Sequence, residues 1–250
     1  MAIVTVGDKG LLVLTAAIDP RGCPDVLRSD PALRERDYVD ALWRWIALMN
    51  RMSFRILFIE NSGADLRSFR SRIQHSGDVE IIQYTEASDV IAKGKGNAEG
   101  RIIERIAEYL EESANSGVVA KCTGRLWVNN FDACVKDLRP AEPFFRLTIR
   151  RNLEVADSRF FICDCTTWQK YLRKMDEEVD EPSGVFLEHV LVRRALLAIG
   201  DGIPFRPFPR LPRIQGVSAT TGHNYTRGLP HLRRELHDRL RSTVGKRTSL

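Results

Sequence analysis

Four apolar runs, "LLVLTAAI" at 11–18, "FRILFIEN" at 54–61, "VEIIQYTE" at 79–86 and "GVVAKC" at 117–122, alternate with stretches of helical periodicity. Strand-length runs separated by helical segments are joined through crossovers, which calls for a largely parallel sheet with helices on both faces. The expected fold is a single α/β, Rossmann-like domain whose mixed, mainly parallel central sheet is flanked by helices. Between the first two runs, Asp30-Pro31 supplies an N-cap and a proline at the first helical position. Tyr38, Leu42, Trp45, Ile46 and Met49 then recur at spacings of three and four and form the face that packs on the sheet. Further helices are expected at 64–73, after residue 100, at 166–176 and at 184–199, with strands at 144–149 and 159–164. A proline-rich stretch at 202–216 separates this core from the end of the chain, so the domain is bounded at 1–228 and a basic helical tail at 229–250.

The 250 residues carry 38 Lys and Arg against 33 Asp and Glu, a net charge of +5 that is a modest bias rather than a nucleic-acid-binding composition. Aromatic residues do not interleave with a basic stripe, so stacking platforms for single strands are not evident. Much of the basic excess sits in "RGLPHLRRELHDRLRSTVGKRTSL", a tail suited to peripheral contact with an anionic membrane, or equally to life as a solvated surface helix. The first apolar run is too short to span a bilayer and ends in Asp19-Pro20 rather than a small-residue cleavage site, which points to a cytoplasmic protein. Five cysteines without C-x-x-C spacing favour reduced thiols over disulfides or a four-ligand zinc site.

Three loops could hold an anion. In "KGKGNAEG" at 93–100, Gly94 and Gly96 let backbone approach a ligand, Lys93 and Lys95 are point charges for phosphate, and a helix N-terminus follows. The stretch matches neither Walker A nor the dinucleotide fingerprint, since Glu99 stands where a third glycine is needed. The competing reading is that Glu99 only favours the helix dipole while the lysines are solvated. "AKCTGRLWVNN" at 120–130 brings Lys121, Thr123, Gly124 and Arg125 to the end of a strand, where open α/β sheets place ligands and where Arg can engage two oxygens at once. Arg125 could also be a structural ion-pair partner. In "PRIQGVSATTGHNY" at 212–225, Gly216 and Gly222 bracket Ser218, Thr220 and Thr221, and Tyr225 could close over a ligand; the alternative is a polar turn.

Taken in order, "LTAAIDP", "SDPALRERDYVDALWRW", "ILFIENSGADL", "GKGNAEGRII", "KCTGRL" and "PRIQGVSATTGHNY" resemble a group of bacterial glycosyltransferases of capsule and lipopolysaccharide assembly. That group carries D-P-x-x-R-x-x-D-Y, E-N-S, G-K-G-x-x-E, K-x-T-G-R and a late P-R-I-x-G-x-S-G-x-T-G segment, in which Ala219 here replaces a glycine. The resemblance covers nearly the whole chain. It implies a GT-A-like domain that takes a nucleotide sugar as donor, with either a nucleoside diphosphate or a nucleoside monophosphate as its carrier, and a saccharide or lipid-linked molecule as acceptor. It also implies Glu60 and Asn61 near the nucleobase or ribose, Lys95 and Glu99 near the donor, and Thr123, Gly124 and Arg125 at the sugar-phosphate junction. GT-A enzymes commonly hold a divalent metal on a D-x-D pair; this sequence has none, and "DEEVDE" at 176–181 reads as a solvated loop. A metal-independent mechanism, with Lys95 and Arg125 stabilising the leaving phosphate, stays open beside a metal-assisted one.

An inverting transfer needs a base for the acceptor hydroxyl. Asp164 ends the "RFFICD" strand, and Glu188 lies beside His189 in the apolar-faced "GVFLEHVLVRRAL" helix, where a carboxylate demands a reason. Glu188 is the preferred base, with His189 as an orienting neighbour; pairing of Glu188 with Arg193 or Arg194 is the structural alternative. A non-catalytic nucleotide- or nucleic-acid-binding module is the competing function.

Overall fold

The computed structural model describes residues 10–20, 23, 26–74, 79–113, 117–139, 142–150 and 152–225. The basic tail at 229–250, and with it the membrane contact and the domain boundary expected there, lies outside the described residues. No helix among the described residues is long and apolar enough to cross a membrane.

The apolar runs become β1 (Gly10–Ala16), β2 (Phe54–Glu60), β3 (Val79–Gln83) and β4 (Val118–Thr123). They pair in parallel in the order β3-β2-β1-β4. Every residue of β1 and β4 is buried, as expected of central strands covered on both faces. Two more strands, β6 (Phe145–Arg150) and β7 (Val155–Asp164), extend the sheet beyond β4, with β7 antiparallel to both neighbours. A separate ribbon pairs β5 (Leu126–Val128) with β8 (Ile214–Gly216). The result is the mixed, mainly parallel sheet the sequence implies.

Helices cover both faces. On one side α1 (Pro31–Met49) starts where Asp30 accepts the Ala32 and Leu33 N–H groups, and its Tyr38, Leu42, Trp45, Ile46 and Met49 are all buried against β1, β2 and β4. The Trp45 indole donates to the Leu126 carbonyl at 2.9 Å, which ties α1 to the ribbon. α2 (Arg67–Ile73) packs on the same side and starts three residues after the expected Ala64. On the other side lie α4 (Lys95–Glu112), which follows the short α3 (Ser88–Ala92), and α7 (Leu187–Gly200). Between α5 (Phe131–Cys134) and α7, the helix expected at 166–176 is three pieces: α6 (Cys165–Thr167), a π-turn at Trp168–Leu172 and a 3₁₀ turn at Met175–Glu178.

The chain lays β1, β2 and β3 outward in one direction and then places β4 on the opposite side of β1. Where strand order reverses, the loops leaving β1 and β4 part and leave a crevice at their carboxyl ends. The proline-rich stretch does not lead away from the core. Asn130 accepts the Arg213 N–H at 2.7 Å, Ile214 is buried, and β8 delivers residues 217–225 to the rim of that crevice.

Candidate active site

A cleft of about 240 Å³ opens at this reversal point. Its floor is the end of β1, Thr15 to Ala17, with Asn61 and Ser62 after β2 and Thr123 after β4. Lys95 and Glu99 of α4, Arg125, and Ser158 and Arg159 of β7 form its charged wall, with Glu188 at the start of α7. Ser218, Ala219, Thr220 and Tyr225 close the remaining side.

The D-P-x-x-R-x-x-D-Y residues hold the β1–α1 loop rather than project into solvent. Arg34, 3% exposed, donates to the Ala17 and Arg28 carbonyls, and the Tyr38 hydroxyl accepts the Ala17 N–H at 3.0 Å. Asp37 takes both Nε and Nη2 of Arg28. Glu60 serves the same end from β2: buried completely, its Oε1 accepts the Ile18 N–H, the Ser62 N–H and the Ser62 hydroxyl. Glu60 therefore braces the loops, while its neighbour Asn61 faces the cleft and donates to the Ala98 carbonyl at 3.3 Å.

The glycines of 93–100 act mainly in packing. Gly94 has φ of 115°, a left-handed backbone that favours glycine, and Lys93 before it is exposed and outside the cleft. At Gly96 a Cβ would stand 2.6 Å from Glu181 Oε1, and at Gly100 3.0 Å from the Asp176 backbone. The segment 175–183 thus lies directly on this helix face, and the 2.9 Å bond from the Gly96 N–H goes to Glu181. The N-terminus offered to a phosphate by the sequence is capped by a carboxylate from within the chain, so "DEEVDE" is a packing element and not a free loop. Burial pushes the Glu181 carboxyl above its usual range; the Gly96 N–H and Lys95 work against that rise, and Glu188 adds to it.

Lys121 is likewise not at the strand's end. Fully buried, its ammonium pairs with Glu99, donates to the Ser158 carbonyl at 2.7 Å and lies 5.9 Å from the Phe161 ring centre. Burial alone would raise the Glu99 carboxyl, but Lys121 first, then Arg125 and Lys95, hold it below the usual carboxylate range. Gly124 donates its N–H to the Thr15 carbonyl at 2.8 Å and keeps the β4 turn against β1. Arg125 Nε donates to the Val217 carbonyl at 3.1 Å.

The late loop turns its amides inward: Ser218 N–H to the His223 carbonyl, Thr221 N–H to the Ser218 hydroxyl, and Gly222 N–H to the Ser218 carbonyl. Ser218, Ala219, Thr220 and Tyr225 of this segment line the cleft. Thr220 accepts from Lys95 Nζ at 2.6 Å, and the Tyr225 ring lies 4.9 Å from the Arg159 guanidinium. Thr221 and Gly222 are exposed outside the lining. Gly216 allows the close approach of this segment, since a Cβ there would stand 2.6 Å from the Arg125 carbonyl.

The two base candidates part company. Glu188 lines the cleft and accepts the Ser158 hydroxyl at 2.7 Å; Arg194 pairs with Glu178 instead, and His189 Nδ1 accepts the Phe186 N–H, capping α7 rather than orienting Glu188. Because β7 runs antiparallel, its carboxyl end is opposite Val118 at the start of β4, and Asp164 lies at the far edge of the sheet from the cleft. There Asp164 accepts the Phe144 N–H, the Thr167 N–H and the Thr167 hydroxyl. It is an N-cap, and the reading of Asp164 as a base is corrected by strand direction.

Ser158 and Arg159 escaped the sequence reading, which began the strand at 159 and did not assign its direction. The gap between the expected strands at 144–149 and 159–164 was the usable signal, because it is shorter than the dozen or more residues that a parallel crossover takes. Among the described residues, no group of three or more His, Cys, Asp or Glu could hold a metal ion.

No family model matches the chain, and no curated protein matches it in sequence. Among solved structures, it is similar to the galactosyltransferase LgtC in complex with donor and acceptor sugar analogues, at 11% identity and a TM-score of 0.48, over 80% of this chain and 74% of that one. It is similar to a 4-diphosphocytidyl-2C-methyl-D-erythritol synthase at 10% identity and 0.43, over 94% and 100%. A cytidylyltransferase from Leptospira borgpetersenii aligns at 10% identity and 0.42, over 97% and 99%.

Proposed function

We propose that the protein is a GT-A-like glycosyltransferase that moves a sugar from a nucleotide-sugar donor to a saccharide or lipid-linked acceptor in bacterial surface-polysaccharide assembly. The supporting observation is one cleft lined by Lys95, Arg125 and Arg159, from three separate segments of the chain, and by Glu188. The nucleoside lies against Thr15–Ala17 and Asn61, the diphosphate against the three cations, and the transferred sugar between them and Glu188. Fixed cations at the position where negative charge grows on the leaving diphosphate lower the barrier without solvent reorganisation. The acceptor oxygen forms the new bond to the anomeric carbon as the bond to the diphosphate breaks, and its proton passes to Glu188, which Ser158 holds in place.

The carboxylates lining the cleft, Asp19 after β1, Glu99 of α4 and Glu188 of α7, come from three separate segments and do not form a D-x-D metal pair; Glu99 is engaged by Lys121 and Thr15, and Glu188 by Ser158. No step is routed through a metal ion. The sequence resemblance supports the polysaccharide role, and peripheral attachment through the basic tail is part of the same proposal. A thermal-shift panel of nucleotides and nucleotide sugars tests it, because a ligand that binds only the folded state raises Tm by mass action. A rise with a nucleotide sugar, followed by sugar transfer or slow donor hydrolysis, is expected. A rise without either leaves the non-catalytic nucleotide-binding module, and no rise with any nucleotide overturns both.

A further inference from the structure

A second cavity, of about 260 Å³, lies beside the cleft and shares Arg159 with it. It lies where the register of β6 and β7 breaks: after Leu147↔Phe161 the next pair is Ile149↔Ala156, so Thr148 alone faces the bulged segment Asp157–Phe160. A bulge of this kind re-aims side chains at a sheet's rim. Here it sends Ser158 and Arg159 to the cleft and leaves Asp157, with Thr148 and Arg150, lining a hollow whose other wall is Phe160, Leu211 and Pro212.

The polar wall is biased toward donors. Asp157, its side chain 8% exposed, is saturated by its neighbours: Oδ1 accepts Arg159 Nε at 2.7 Å and the Arg159 backbone N–H at 3.3 Å, and Oδ2 accepts Arg159 Nη2 at 2.6 Å and Arg150 Nη2 at 2.8 Å. Burial would raise the Asp157 carboxyl, but Arg159 and then Arg150 hold it below the usual range, so it remains an anion between two cations. Arg150 is half exposed and bonds Asp157 through one nitrogen of a guanidinium that carries five N–H groups. The cluster of one carboxylate and two guanidiniums is net positive and faces an apolar wall.

We propose that this cavity is a second binding site, for a saccharide bearing an oxyanion, either a carboxylate or a phosphate. A sugar ring sets its C–H face on Leu211, its hydroxyls reach Thr148, and its acidic group meets Arg150, a guanidinium suited to two-oxygen recognition. Its role as the acceptor position rests on the transferase reading above, while its ligand class rests on the cavity alone. Arg159 then forms the wall between acceptor and donor, within reach of both.

Ligand-observed NMR titration of the full chain with glucuronic acid, glucose 6-phosphate and glucose tests the site, and the two acids separate a carboxylate from a phosphate specificity. Expected is binding of at least one acid at least tenfold tighter than glucose, weakened tenfold or more by Arg150→Ala and retained in Lys95→Met. Acids that bind no better than glucose overturn the proposal, as does affinity unchanged in Arg150→Ala or lost in Lys95→Met, which would put the ligand in the main cleft. Thr148→Val, a near-isosteric change, serves as a second variant and is expected to weaken binding of the preferred acid as well; unchanged affinity there removes the hydroxyl contact and contradicts the proposed pose. Titration of UDP into the same samples keeps the two claims apart. UDP binding without acid-sugar binding sinks this inference and spares the transferase reading, and acid-sugar binding with no binding of UDP, GDP, CDP, ADP or dTDP, titrated in turn, does the reverse.

Discussion

Asp164 and Glu188 are both carboxylates at the end of a buried element, yet they sit at opposite edges of one sheet and do different work. Asp164, at the amino edge of the parallel strands, accepts three hydrogen bonds from Phe144 and Thr167 and caps the turn that follows β7. Glu188, toward the carboxyl edge, accepts one hydroxyl and lines the open cleft that Lys95, Arg125 and Arg159 also line. A carboxylate saturated by the protein is structure; one held by a single donor beside open space is available for chemistry. The parallel strands decide which edge is which, because their carboxyl ends carry the loops that part at the β1/β4 reversal.

The largest expected effect breaks the comparison at Glu188. Glu188→Gln keeps the Ser158 contact but cannot take a proton, so turnover should fall about 10²–10⁴-fold with donor affinity and Tm nearly unchanged. Near-normal turnover would remove Glu188 as base and favour a retaining mechanism. Next is Lys121→Met, which takes from Glu99 its paired cation and leaves it only the field of Arg125 and Lys95, and should cost about 3 kcal/mol in denaturant unfolding. Adding Glu99→Gln should restore part of that loss. The same pair makes stability depend on acid. The folded Glu99 carboxyl is held below its ordinary value, so its contribution is complete above the unfolded value of about 4.3 and fades as pH falls through the folded value. Glu99→Gln should flatten the acid limb of the stability curve, and an unchanged limb would show that the pair does not carry it.

Asp164→Ala should behave in the opposite sense to Glu188→Gln: a loss of about 1–3 kcal/mol in stability, from unsatisfied buried donors, with turnover of the folded protein preserved. A folded Asp164→Ala protein without activity would contradict the division of labour between the two edges. Smallest in stability is Lys95→Met, within about 0.5 kcal/mol because Lys95 is exposed. Its effect should appear instead as weaker donor binding, read by calorimetric titration.

Much of the fold was legible in the sequence because the central strands are continuous apolar runs and α1 announces itself with Asp30-Pro31 and an uninterrupted apolar face. β5 and β8 were not, since each is three residues long and its partner lies far along the chain. At the site, Lys95, Arg125, Thr220 and Glu188 were named from residue type and position and do line one cleft. Lys121 was misplaced to a strand end, although a lysine inside "VVAKC" must be buried and therefore paired, as it is with Glu99. The glycines of "KGKGNAEG" look like a phosphate cradle in one dimension. Only the fold reveals that Glu181, some 85 residues away, already fills it. Asp164 failed for want of strand direction, which no local pattern in "RFFICD" carries.

On the transferase reading, the carboxyl edge, and not the rest of the molecule, holds a nucleoside diphosphate. Calorimetric titration of UDP, GDP, CDP, ADP and dTDP into the wild type, Arg125→Ala and Asp164→Ala tests it most directly. One of these nucleotides should bind the wild type and Asp164→Ala alike, and bind Arg125→Ala at least tenfold more weakly at unchanged Tm, since one charge-assisted contact is worth about 1.5–3 kcal/mol. Equal affinity in wild type and Arg125→Ala, or no binding by any of the five, would contradict it.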